Sequence, residues 1–523
     1  MKYPCSWVLL LLVVGLLQSC HNKEPNPNRN LSLADFATLS APAYRLNSHR
    51  IREEIDRLAA ADRDSMAADQ RTRAYYAGRS PLVWIDRKGL DSRADSAVAH
   101  LQGVARMGFS RRRFRLPQIE ADLKRARELR FDDGDNRINR VMARLEYNLT
   151  KAYLRYAAGQ QFGFVNPTYV FNRLDVHDSD SVHPTYRTLF DLKMRHATRA
   201  FFREALRKAG TDSVGPFLAE AEPQDAFYHR LRARLDSGPA PAPDRVRLLV
   251  NMERCRWRLA DRPQAHRKYV LVNIPSYHLL AVDGDETMTM RVASGTMATK
   301  TPVMASRVQR MDINPQWVMP RSIVRKSILP HAGDTGYFRR HRYFVRQRST
   351  GRVVGPGLVT RGMLLDGDYL VVQEGGEGNA LGRIIFRFDN GLSIFLHDTS
   401  SRNVFAQTDR GVSHGCVRVE RPLDLAVFML AHKDEQLIDR IRYSMAADVS
   451  PLGKRRSELT PEMLAVSDTL DRRRLVGTVK VEPAVPIFLY YFTLYPDPDG
   501  RIEAFADVYG YDRVIYDILK NYL

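Results

Sequence analysis

Apolar positions along this chain change their period near residue 266. Upstream, over residues 48–262, they recur at helical spacing. Leu189, Leu192, Ala197, Phe201, Ala205 and Leu206 trace one such stripe through a stretch studded with arginine and acids, and residues 245–259 trace another. Ser237-Gly238-Pro239-Ala240-Pro241-Ala242-Pro243 separates the two as a breaker and linker. Downstream the pattern shortens to strands over 269–274, 277–282 and 287–293, split by Pro275-Ser276 and Asp283-Gly284-Asp285 turns. Residues 384–388 and 392–396 predict a hairpin around Asp389-Asn390-Gly391, which puts His397 just past a strand end. Val417-Arg418-Val419 reads as a strand, and Pro422 opens a helix through Leu425, Phe428 and Leu430. The expected fold class is α+β.

In domain terms the pattern predicts a mostly helical scaffold domain over 48–265, a β-rich domain over 266–446, and a C-terminal segment over 447–523 packing on one or both. Residues 318–378 are less regular, rich in arginine, glycine and aromatics, and read as a lid inserted in the β-rich domain. The last segment combines a strand-like run at 487–492 with a terminal helix over 512–522.

The amino terminus adds an address. Lys2 precedes an apolar run over 7–17 that is too short for a permanent span and suits a secretory signal peptide over 1–19. Leu17-Gln18-Ser19-Cys20, followed by a polar stretch, resembles a lipoprotein cleavage site. Lipidation of Cys20 and a tether over 20–47 are expected, giving a periplasmic protein anchored to a membrane rather than spanning it. With Cys5 removed and Cys20 acylated, Cys255 and Cys416 remain as thiols, so neither a disulfide framework nor a zinc spacing is expected. Neither a metal nor a cofactor is expected. The formal charge of +20 comes from basic residues, mostly arginine, interleaved with acids along the whole chain. Without a nucleic-acid-binding motif it predicts a solvated surface, or attraction to an anionic polymer or membrane face, and not a nucleic-acid partner.

The chemistry concentrates in Ser413-His414-Gly415-Cys416-Val417-Arg418-Val419. A thiol needs a base to become a thiolate near neutral pH, and His397 is the candidate. Gly415 lets the backbone approach a substrate and turn N–H groups toward a developing oxyanion.

A histidine, fifteen intervening residues and then Ser-His-Gly-Cys with an aliphatic residue resembles the signature of the YkuD-type L,D-transpeptidase catalytic domain. Val272-Asn273-Ile274-Pro275, Thr301-Pro302-Val303, Asn314-Pro315-Gln316-Trp317, Ala380-Leu381-Gly382-Arg383 and His397-Asp398-Thr399 are similar to stretches of its large periplasmic, YcbB-like group. Pro81-Leu82-Val83-Trp84 and Asn251-Met252-Glu253-Arg254 resemble that group's helical scaffold. Two departures stand out. The space where some relatives carry a peptidoglycan-binding module holds the Pro/Ala linker here, and Arg418 stands where smaller members often have Asn.

The resemblance implies peptidoglycan stem peptides as donor and acceptor, a Cys416 thioester, 3→3 cross-links, and acylation by carbapenem-type β-lactams. It implies His397 as base, the Asp398 backbone as its orienting group, Gly415 and Cys416 N–H groups at the oxyanion, and His414 shaping the pocket. Arg418, Ser413, Trp317 and Asn314 are the expected substrate-side residues; Arg418 reads equally well as part of a structural ion pair, and Ser413 most simply fixes the turn. Water, a D-amino acid or a protein lysine could replace the acceptor stem. A catalytically silent, lipid-anchored scaffold protein is the alternative from another class, and a papain-like protease is disfavoured because His397 precedes the cysteine.

Overall fold

The computed structural model describes residues 45–86, 89–178, 185–238, 241–497 and 499–523. The expected signal peptide, the lipidated Cys20 and nearly all of the tether lie outside the described residues. The chain divides into two compact units: Met1–Phe162 with His196–Gly238 and Lys520–Leu523, and Gly163–Arg195 with Pro239–Leu519.

The first unit is helical: α1 (Ser48–Ala61), α2 (Ala67–Ala77), α3 (Arg93–Leu101), α4 (Leu116–Glu128), α5 (Ile138–Phe162), α6 (Arg199–Ala209), α7 (Val214–Ala221) and α8 (Ala226–Asp236). Side-chain caps start several of them; Asn47 accepts from the Arg50 N–H and Asp225 from the Phe227 N–H. Helix α5 is buried nearly all round, and α1, α2, α3 and α4 pack against it. It carries buried charge, and each charge has partners. Glu146 accepts from the Val83 and Trp84 N–H groups and from Tyr76, while Lys151 and Arg155 bind Asp62, Asp64 and Asp69.

The second unit is built on strands β1 (Phe190–Asp191), β2 (Lys268–Asn273), β3 (His278–Asp283), β4 (Glu286–Gly295), β5 (Val303–Ile313), β6 (Trp317–Val318), β7 (Tyr343–Gln347), β8 (Val353–Val354), β9 (Tyr369–Gln373), β10 (Ile384–Phe388), β11 (Leu396–His397), β12 (Gly411–Ser413), β13 (Val417–Val419) and β14 (Thr478–Tyr490). The main sheet runs β10-β11-β13-β4-β3-β2-β14-β5-β1, and a further pairing of β10 with β5 closes the path on itself. Closure removes the free edges between those strands. Period-two alternation, as in Leu279 and Ala281 on β3, sends apolar side chains to a core shared with Val270, Val272, Val292, Leu396, Val417 and Val419.

Four expectations change. Leu189 and Leu192 flank strand β1 rather than lying on a helix, because the Asn172 side chain accepts from the Leu189 and Phe190 N–H groups and holds them extended beside β5. Residues 163–195 and the helix Ala242–Arg256 accordingly cluster with the strand-rich unit, not with the scaffold expected over 48–265. The insert over 318–378 is not irregular. It forms a four-stranded sheet, β6-β9-β7-β8, around its own core of Met319, Val324, Ile328, Phe338, Val345 and Val371. The segment after 447, expected to pack on one or both domains, enters the main sheet itself: β14 runs parallel to β2 and antiparallel to β5.

Candidate active site

Position begins with the sheet. His397 is the last residue of β11, not one beyond it, and β11 pairs in parallel with β13, setting Leu396 opposite Val417 and His397 opposite Arg418. Cys416 directly precedes β13. The Val417 N–H donates to the Phe395 carbonyl at 3.0 Å, which ties the cysteine to the strand that carries the histidine.

The turn before the cysteine is fixed from within and from below. The Ser413 hydroxyl donates to the Cys416 carbonyl at 2.5 Å and accepts from the Gly415 N–H at 3.0 Å. Thr299 and Thr301, on the loop after β4, donate to the Ser413 and Gly415 carbonyls at 2.7 and 2.8 Å. Gly415 sits at φ +119°, and a Cβ there would meet Ile394 Cδ1 at 3.0 Å, so this position demands glycine. Gly295, beneath the loop, is required for space: a Cβ would come within 1.9 Å of the Thr299 carbonyl oxygen.

His397 is 4% exposed, and its Nδ1 is bound to the backbone carbonyl of Asp398. A second backbone carbonyl, that of Leu381, also interacts with the imidazole. The Asp398 carboxylate is used elsewhere, accepting from the Arg383 N–H at 2.8 Å and from Arg402 at 3.2 Å. Gly382, at φ +65°, leaves room for it, since a Cβ there would lie 2.5 Å from that carboxylate.

Cys416 Sγ points to the Ser393 carbonyl at 3.7 Å, and no hydrogen bond joins it to His397. Burial pushes the thiol up, opposed by a backbone contact at Phe395 and by the Arg418 charge. Burial pulls the His397 imidazole down to about 4, partly offset by the Asp398 carbonyl, with Arg418 adding to the depression. Both directions favour a resting pair of neutral thiol and neutral imidazole over a preformed ion pair. Apo sites of this kind commonly tighten only when substrate arrives.

The other expected residues divide. Arg418 is half-buried beside Cys416, its Nε has no hydrogen-bond partner, and burial lowers its affinity for its own proton. His414 is exposed, with its imidazole lowered by partial burial and by Lys326 and Arg418; Lys326 comes from the insert. The Ser413 hydroxyl is engaged within the turn by its hydrogen bonds to Cys416 and Gly415. The Gly415 N–H is likewise taken by Ser413, which removes it as an oxyanion donor; the Cys416 N–H donates to no acceptor among the described residues. Trp317 opens β6 and packs on the insert's core. Asn314 donates to the Ser444 carbonyl and accepts from Arg383, and it lines a cavity of about 580 Å³ that neither Cys416 nor His397 borders. Neither Trp317 nor Asn314 hydrogen-bonds to the thiol or the imidazole.

Sequence reasoning missed Ser393 and Thr299. Ser393 takes a left-handed backbone, φ +56°, to aim its carbonyl at the thiol. Its place in the Asp389-Asn390-Gly391 turn region was the available signal.

The structure thus sets a strand-borne histidine, held through a backbone carbonyl, near a cysteine on a glycine turn. Residues 267–445 match the L,D-transpeptidase catalytic domain, YkuD, and residues 70–235 match the Scaffold domain. The chain is thus similar to a YkuD L,D-transpeptidase catalytic domain over one stretch and to a scaffold domain over another. It is 31% identical over 274 residues to a Haemophilus influenzae protein named "Putative L,D-transpeptidase". That match covers 51% of this chain and 50% of the relative, so the chain spans about half the length of the relative it matches.

Proposed function

We propose that this protein is a peptidoglycan L,D-transpeptidase that builds 3→3 cross-links through a Cys416 thioester. The observation that carries the reading is the pairing of β11 with β13, which holds His397 and Cys416 on neighbouring strands with the imidazole oriented through Nδ1. His397 Nε2 takes the thiol proton as Sγ attacks the carbonyl of the third stem residue. The carbonyl oxygen becomes the oxyanion, facing the Cys416 N–H. Collapse breaks the amide bond, and the imidazolium gives its proton to the departing D-alanine amine. The side-chain amine of a second stem then attacks the thioester, His397 takes the amine proton, and the thiolate leaves as a new amide forms.

The resting thiol and imidazole are both neutral, so substrate or inhibitor binding has to complete the proton transfer. Carbapenem-type β-lactams would acylate the same sulfur. Export and lipidation at Cys20 place the reaction in the periplasm on this reading, and loss of a lipid-modified species in a Cys20→Ala variant checks the anchor.

Muropeptide mass spectrometry after incubation with tetrapeptide stems tests the activity. Dimers with 3→3 links are expected; tripeptides alone, exchanged D-amino acids or protein adducts would reassign the acceptor to water, a D-amino acid or a lysine. Absence of any Cys416 adduct with stem or carbapenem, on folded protein, sinks the enzyme reading in favour of a silent scaffold.

A further inference from the structure

We propose that the helical unit carries a second binding site, an arginine-lined cleft that takes an acidic peptide bearing two or more carboxylates. The cleft, about 530 Å³, is lined by Arg63, Arg112, Arg113, Arg115, Arg155 and Tyr522, with Asp64 and Asp69 as its acids. Its floor is rigid. Arg155 binds Asp64 at 2.9 Å and Asp69 at 2.8 Å, donates to the Arg113 carbonyl at 2.6 Å, and lies over the Tyr522 ring at 5.8 Å. Lys151 binds Asp62 and Asp64 at 2.6 Å just beneath. The aspartates are thus already matched by Arg155 and Lys151.

The rim is different. Arg63, Arg112 and Arg113 are exposed, and among the described residues their guanidinium groups make neither an ion pair nor a hydrogen bond. Arg115 is only 3.7 Å from Asp64 at its nearest, too long for a hydrogen bond, and its side chain is 40% exposed. The loop that presents Arg112, Arg113 and Arg115 is pinned by buried Phe114, by the Leu116 N–H donating to the Arg111 carbonyl at 2.9 Å, and by Arg115 in a left-handed backbone at φ +57°. The Ser110 N–H, at its start, donates to the Tyr522 carbonyl at 2.8 Å. Unpaired forks on a preformed concave wall match carboxylates bidentately, with little ordering left to do. A membrane surface fits less well. The lining has no exposed aliphatic side chain to insert among lipid headgroups, and Asp64 stands at the mouth, where an incoming ammonium would find it.

Choosing wall stem peptides as the acidic peptide rests on the reading under Proposed function; the cleft itself does not. The test uses the full mature chain with Cys416→Ala, so that nothing turns over. A fluorescent stem tetrapeptide is titrated by anisotropy against this protein and against the same protein carrying R63Q, R112Q and R113Q. These side chains hold nothing in the fold, and an unchanged thermal transition checks that. The expected result is a salt-sensitive binding component weakened at least about ten-fold by the triple change, with R112K and R113K, which keep charge but lose the fork, falling between. Equal binding overturns the proposal. So does arginine-dependent sedimentation with phosphatidylglycerol vesicles, or a thermal shift with inorganic phosphate, when the peptide arm is flat. Carbapenem labelling of Cys416, in protein that keeps the cysteine and with or without the three arginine changes, separates the two readings. Labelling without arginine-dependent binding removes the cleft alone; arginine-dependent binding without labelling removes the enzyme alone.

Discussion

The charge cluster on α5 of the helical unit and the Cys416 site of the strand-rich unit treat buried polar groups in opposite ways. Around α5, Lys151, Arg155 and Glu146 are buried, and every one has close partners: Asp62, Asp64, Asp69, Tyr76 and two backbone N–H groups. Around Cys416, the polar groups are left short. Arg418 Nε has no hydrogen-bond partner, the thiol has a long contact to Ser393 and a backbone contact at Phe395, and burial lowers the His397 imidazole. Satisfied buried charge specifies one arrangement of helices; incompletely satisfied groups keep the capacity to react or bind. The same physical cost yields architecture in one unit and chemistry in the other.

Breaking the reactive side of that contrast gives the largest effect. Cys416→Ala abolishes formation of the thioester and of any carbapenem adduct, read by intact-protein mass spectrometry, while leaving the unfolding curve within about 1 kcal/mol of wild type. His397→Gln keeps a ring-sized polar group but no base, and lowers the acylation rate by about 10²–10⁴.

The structural side breaks differently. Lys151→Met leaves Asp62 buried without its hydrogen-bonded cation and costs about 3–5 kcal/mol in the scaffold unfolding transition, measured by urea denaturation. Activity per folded molecule stays unchanged.

Acid sharpens the comparison. His397 has its folded value lowered from 6.5 to about 4, so the folded state binds fewer protons than the unfolded chain across that window. Its contribution to stability is complete above pH 6.5 and is lost as pH falls toward 4, to a total of about 3 kcal/mol. A His397→Asn variant, measured from pH 7 to 4, should lack that part of the slope. The raised thiol adds a second signature: iodoacetamide labelling of Cys416 should keep rising on the alkaline side of the ordinary cysteine range.

The smallest effect belongs to Arg418. Removing an arginine with an unpartnered Nε costs little, so Arg418→Met should change stability by less than about 1 kcal/mol. Losing its charge should nevertheless raise the Cys416 thiol further, visible as a labelling profile displaced to higher pH.

Much of this was legible in the chain. The strands over 268–295, the β13 strand and the helix from Pro422 to Met429 follow from short-range alternation and turn residues, which act within a few positions. The insert was harder to read, because its small core is assembled from single apolar residues spread between Met319 and Val371 across four short strands and several one-turn helices. Strand β1 was hidden for a related reason: the side chain that holds it, Asn172, is 17 and 18 residues away. The site was legible as residue types and illegible as wiring. Nothing local reveals that the Ser413 hydroxyl consumes the Gly415 N–H, or that Thr299 and Thr301 brace the turn from β4's end.

By itself, the sequence determined the parts that depend on neighbours in the chain. It placed a cysteine directly after a glycine, a histidine beside a strand end, and a change of period that separates helices from strands. The tertiary structure alone decided which backbone carbonyl orients the imidazole, where the thiol points and how both titrate, because those follow from burial and from contacts between distant strands. It also decided that the C-terminal strand completes the sheet, since hydrogen bonding between β14, β2 and β5 joins residues separated by nearly the whole length of the domain.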